Sequence, residues 1–181
     1  QIPLLERDDA VGLVCSDAFM FNEKGKEKRI FKDIKPCRGN IFPKLLNRNF
    51  INTQTVVIRR EAFGSIDNPF DASLIMAGDY DAYLRISYKW KIDYVNKPLA
   101  RYRIHRNSKS WKDGRKLLTV ELGLIMENLK QVDCEIEAKF PAEFRALKRF
   151  RDVQLSLVDW ENGDKKRARK RLRIYVHDSI V

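Results

Sequence analysis

Apolar residues change their spacing along this chain, from short runs and alternation to a three-and-four repeat, and the change falls near Trp111. Before it, residues 11–15 form an apolar run that predicts a buried strand, and residues 18–21 continue it. Asn22-Glu-Lys-Gly-Lys26 supplies a turn, after which residues 28–34 are expected to return as a hairpin arm. A brief helix is predicted over 41–46, with Pro43 in its first turn. The β-branched run at 55–59 predicts a central strand, and a helical turn from Arg60 ends at Gly64. Asp79 suits the cap of a helix carrying Tyr80, Tyr83, Leu84 and Ser87. Residues 91–96 and 99–105 alternate as two strands, separated at Lys97-Pro98.

Beyond Trp111 the pattern is purely helical. Leu118, Leu122, Ile125 and Leu129 follow one face of a first helix; Phe150, Val153, Leu157 and Trp160 recur at three and four in a second. Asn162-Gly163-Asp164 reads as a stop and a restart, leading to a basic helix over 165–173 with Ala168, Leu172 and Tyr175 on its thin apolar side. The helix pair is similar to one tetratricopeptide-like unit, and one unit does not define a repeat array.

Composition narrows the class. The 181 residues fit one domain with a smaller appendage, and 44% hydrophobic content is enough for a core. The net charge of +11 favours anionic partners without choosing among nucleic acid, phospholipid headgroups and a phosphorylated ligand. Cys15, Cys37 and Cys134 are odd in number and widely spaced, which fits reduced thiols in a cytosolic protein and not a disulfide frame or zinc site. No apolar run approaches the ~20 residues that cross a bilayer. No signal peptide is recognised, and the absent initiating Met suggests a trimmed piece.

The candidate chemistry centres on Gly78-Asp-Tyr-Asp-Ala-Tyr-Leu-Arg85. Two acids at a helix start with an Arg one turn on fit plain capping and dipole matching, and they equally fit a catalytic carboxylate. The surrounding text is more specific. Val11-Gly-Leu-Val-Cys-Ser-Asp17, Gly39-Asn-Ile-Phe42, Asn49-Phe-Ile-Asn-Thr-Gln-Thr-Val-Val-Ile-Arg-Arg60, Pro69-Phe-Asp71 and Lys91-Ile-Asp-Tyr-Val-Asn-Lys-Pro-Leu-Ala-Arg-Tyr-Arg-Ile-His105 lie in order around it. Together they resemble the C-terminal half of a family 2 glycosyltransferase of the GT-A fold.

That resemblance implies an α/β fold. Residues 1–111 would be the acceptor-side half of a GT-A domain, and 112–181 a basic extension of about three helices. It implies an inverting enzyme that moves a sugar from a nucleotide-sugar donor to a glycan or other cell-surface acceptor. Asp79 matches the general base; the Glu that precedes it in the family is replaced by Gly78. His105 matches a metal ligand, the metal being Mn2+ or Mg2+, and a strand-end His is the plain alternative. Arg103 and Arg106 would meet phosphate oxygens; Asn52, Thr55 and Asp81 would contact substrate, although Asp81 beside Arg85 also suits a structural pair. The family's nucleotide-binding half and its Asp-X-Asp have no counterpart here, so the isolated piece is expected to bind no metal and to be inactive. The expected location is cytoplasmic, with a peripheral place at the inner face of the membrane as an option.

A different class remains open. The basic stretch 165–173 could make this a helical binding or assembly module for anionic membrane, nucleic acid or a protein partner. The sequence carries no recognised nucleic-acid-binding signature, which disfavours the second. Strand edges left open without upstream strands would also invite a homodimer.

Overall fold

The computed structural model describes residues 1–105 and 114–175. The chain is mixed α/β and divides into two compact units, Gln1–Ser73 with Gly78–Ser108 and Leu74–Ala77 with Lys109–Val181. The expected boundary at residues 111 and 112 lies outside the described residues, and residues 74–77 group with the second unit.

The first unit is organised around β1 (Val11–Asn22). It contains α1 (Ile2–Arg7), β2 (Glu27–Arg29), α2 (Ile30–Asp33), α3 (Phe42–Asn47), a 3-10 turn (Thr53–Thr55), β3 (Val57–Ile58), α4 (Arg60–Gly64), α5 (Gly78–Lys89) and β4 (Lys91–Ile104). β1 pairs in parallel with β4 along its length, and antiparallel with β3 at Leu13 and Val14 and with β2 at residues 19–21. A strand has two edges, so β2 and β3 share the edge opposite β4 at different heights. Every residue from Val11 to Ala18 is buried, which explains a continuous apolar run where a half-exposed strand would alternate. Gly12 is required by packing: a Cβ there would stand 2.6 Å from Trp90 Cβ and 2.8 Å from Ala62 Cβ.

Three expectations change. The stretch 55–59 is not a central strand; only Val57–Ile58 pairs, and β1 is the centre. Pairing stops there because Thr55 turns its hydroxyl onto the Ser16 amide (3.1 Å), occupying the ladder position with a side chain. The hairpin arm is also short. Buried Asp17 gathers the Phe31 amide at 3.0 Å and the Arg29 guanidinium at 2.6 Å, and the chain turns helical at Ile30. Finally, Lys97-Pro98 does not split β4. The register passes from Ser16↔Val95 to Asp17↔Pro98 and Ala18↔Ala100, so the extra residues form a bulge, where a missing proline N–H costs no ladder bond.

The second unit contains α6 (Gly114–Val132), α7 (Ile136–Lys139), α8 (Pro141–Glu161) and α9 (Lys165–Arg173). α6 buries Leu122, Ile125, Met126 and Leu129, as its spacing predicts. On α8 the buried residues are Phe144, Leu147 and Ser156, whereas Phe150, Leu157 and Trp160 are exposed. The three-and-four stripe is thus mostly an exposed one. Gly163 takes φ +85°, and the Asp164 carboxylate accepts the Arg167 amide at 3.0 Å, giving the stop and cap expected. Buried Glu121 ties down residues 74–77, accepting the amides of Ile75 (2.9 Å), Met76 (3.0 Å) and Ala77 (2.7 Å). Among the described residues no helix is long and apolar enough to cross a membrane.

Candidate functional site

Successive residues on a helix point about 100° apart, and the first turn of α5 uses this to send three side chains to three tasks. Tyr80 reaches α3, its hydroxyl donating toward the carbonyls of Leu45 (2.9 Å) and Leu46 (3.2 Å) at the helix end. Burial raises its pKa, so it stays a neutral donor. Asp81 points inward. Its Oδ2 lies 2.6 Å from Arg85 Nη2, and both side chains are sealed from solvent.

Asp79 is half-buried. Its Oδ1 accepts the Tyr80 amide at 2.7 Å, one of the free amides of the helix start, and its Oδ2 accepts the Thr53 hydroxyl. Tyr83 lies one turn beyond Asp79 on the same helix and is buried. Burial is the main cause that pushes the Tyr83 phenol up to about 12, with Asp79 adding to it. Asp79 and Thr53 therefore form one hydrogen-bonded pair across two elements. The sequence reading missed Thr53, although it stands between the two residues it named in Asn52-Thr53-Gln54-Thr55.

Those two neighbours are structural supports. The Asn52 side chain caps the 3-10 turn by accepting the Gln54 amide at 3.0 Å. Thr55 is buried, its hydroxyl held between the Ser16 amide (3.1 Å) and the Asn52 carbonyl (2.8 Å). The expectation of substrate contact is therefore not met by Thr55 or by sealed Asp81, because their polar atoms are committed inside the fold. What Asn52 and Thr55 do is hold the turn that presents Thr53 to Asp79.

Arg103 lies exposed on β4 opposite Phe21, and His105 follows the strand's last residue. Thr55 meets β1 at Ser16, which is in register with Val95; Asn22 is in register with Ile104. Six steps along β1 at about 3.3 Å each put His105 roughly 20 Å along the sheet from that row. Arg106 lies outside the described residues. Among the described residues no three His, Cys, Asp or Glu side chains converge as metal ligands.

No known protein family matches the chain, and no curated protein is significantly similar to it.

Proposed function

We propose that the first unit is the acceptor-side half of a glycosyltransferase catalytic domain of the family 2, GT-A type, with Asp79 as its general base. The observation that carries this reading is the division of labour between the two acids of α5. Asp81 is neutralised inside by Arg85, while Asp79 is oriented by Thr53 and its own helix start yet remains half-exposed. An oriented, accessible carboxylate is what an alcohol nucleophile requires.

In the reaction, the acceptor hydroxyl gives its proton to Asp79 as its oxygen attacks the anomeric carbon. The bond from that carbon to the nucleoside diphosphate breaks, the electron pair leaves with the diphosphate, and the configuration inverts. Arg103 stands too far along β4 to meet the leaving diphosphate of an acceptor held at Asp79, so the growing charge would be balanced by groups outside the described residues. A divalent metal would supply Lewis-acid stabilisation of the same charge, with its ligands from outside the described residues. The donor-binding half would likewise come from outside this chain, in a cytoplasmic enzyme.

The test is sugar transfer from a panel of labelled nucleotide sugars by the protein carrying this chain together with its upstream residues. Asp79→Asn should lower turnover by on the order of 10²–10⁴ with the fold unchanged. Undiminished transfer by that variant would remove Asp79 from the mechanism.

A further inference from the structure

The exposed apolar stripe on α8 is next to the most basic helix in the chain, and their arrangement is ordered. Angular positions at 100° per residue divide α8 into three faces. Phe144, Leu147 and Arg151 share one face; two of these are core residues, and the Arg151 guanidinium lies against Gly123 of α6. Asp152, Ser156 and Asp159 share the second, which receives α9: Ser156 Oγ lies 3.2 Å from the Ala168 carbonyl, Arg171 Nε is 2.7 Å from Asp159, and Tyr175 donates to Asp152 at 2.5 Å. Phe150, Val153, Leu157 and Trp160 share the third face. There Phe150, Leu157 and Trp160 are 49%, 43% and 48% exposed, and Glu161 follows at the end of the stripe.

On α9, Ala168 and Arg171 face α8, Leu172 is exposed, and the other cations fan out around the remaining sides. Lys165 Nζ is 5.4 Å and Arg169 Cζ 5.9 Å from the centre of the Trp160 ring. By angle, Lys166 and Arg173 follow Arg169 around the helix. Lys165, Lys166, Arg169, Lys170 and Arg173 have no carboxylate partner among the described residues, whereas Arg167 and Arg171 share Asp159. Apolar groups with an indole at their border, and unneutralised cations directly beyond it, match the layering of a bilayer surface.

We propose that this α8–α9 face docks on an anionic phospholipid surface, Leu157 and Trp160 entering the headgroup boundary and the α9 cations meeting lipid phosphates. The inference is independent of any transferase activity, since it uses only the second unit. Charge complementarity selects an anionic partner. The apolar stripe selects a lipid over a nucleic acid, because phosphate contacts alone would leave Phe150, Leu157 and Trp160 without a role.

Flotation of the full chain with vesicles tests it. Binding is expected to vesicles of phosphatidylcholine mixed with phosphatidylglycerol, and not to phosphatidylcholine alone. Each α9 cation replaced by Gln should weaken binding about fivefold. The double variant Leu157→Ser, Trp160→Ser should lose most binding with its charge and helical content intact, and brominated lipid should quench Trp fluorescence less in Trp160→Phe. No flotation with the anionic vesicles would overturn the proposal. So would unchanged binding by the Leu157→Ser, Trp160→Ser variant together with equally tight binding to an oligonucleotide, which would mark a purely electrostatic polyanion site.

Discussion

Arg85 Nη2 stands 2.6 Å from Asp81 Oδ2 one helical turn away, in an ion pair closed to solvent on both sides. The same guanidinium donates to the carbonyls of Asp67 (2.6 Å), Asn68 (3.1 Å) and Pro69 (3.1 Å). Asn68 sits at φ +44°, so the pair also holds a turn in an unusual backbone shape. Removing one partner strands a buried charge. Arg85→Met should destabilise the chain by about 3–5 kcal/mol in urea unfolding. Adding Asp81→Asn should recover part of that loss, which a double-mutant cycle measures.

Glu121 makes a parallel case in the second unit. A single buried carboxylate satisfies the amides of Ile75, Met76 and Ala77. Glu121→Ala would leave three amides without their acceptor, a loss of about 3 kcal/mol or more. Glu121→Gln keeps one acceptor oxygen and should cost less. Hydrogen exchange at residues 75–77 should accelerate in both variants, and more in the first; slow exchange at these amides in Glu121→Ala would contradict the assignment.

These two groups show where sequence reading stops. The α5 pair was visible, because Asp and Arg four apart share a helix face and local spacing is enough to match them. Glu121 was invisible: its partners lie more than forty residues earlier in a stretch with no periodicity. The same limit explains the strands. Residues 55–59 and 11–15 look alike in composition, but which one becomes central depends on which partners arrive, and β4 pairs with β1. Pro98 read as a break because a bulge opposite Asp17 cannot be seen without the register. On α8 the spacing of Phe150, Leu157 and Trp160 gave the helix correctly, but periodicity cannot say which of two apolar faces is covered. At the candidate site the legible part was Asp79 itself; Thr53 became visible only through its hydrogen bond.

Thiol chemistry follows from burial. The Cys15 thiol rises from 9.0 to about 12 because it is buried at the centre of β1, and burial also raises half-buried Cys37. The thiolate is the reactive form, so disulfide reagents should label exposed Cys134 first, Cys37 more slowly and Cys15 only on unfolding. Tyr83 is pushed from 10.0 to about 12 in the same direction. Above pH 9 the unfolded chain releases these protons before the folded one does. Stability should therefore be flat with respect to both groups below that pH and fall as pH rises from about 9 to 12. Urea midpoints across this range check the slope, and Cys15→Ala should make it shallower.

The contact between Thr53 and Asp79 carries the last expectation. Thr53 is exposed and contributes no core packing, so its removal should leave stability nearly unchanged. Its hydroxyl meets one carboxylate oxygen of Asp79 while the Tyr80 amide meets the other, which fixes the plane in which the acid can accept a proton. A hydrogen bond to a charged group contributes about 1.5–3 kcal/mol, or roughly a ten- to hundredfold change in rate if that orientation is used only as the proton moves. In the enzyme proposed above, Thr53→Val should lower kcat by that factor with little change in the acceptor KM, and Thr53→Ser should restore most of it. A Thr53→Val protein with full turnover would show that Asp79 needs no orienting partner, and a loss in Thr53→Ser with none in Thr53→Val would point to the methyl group instead of the hydroxyl.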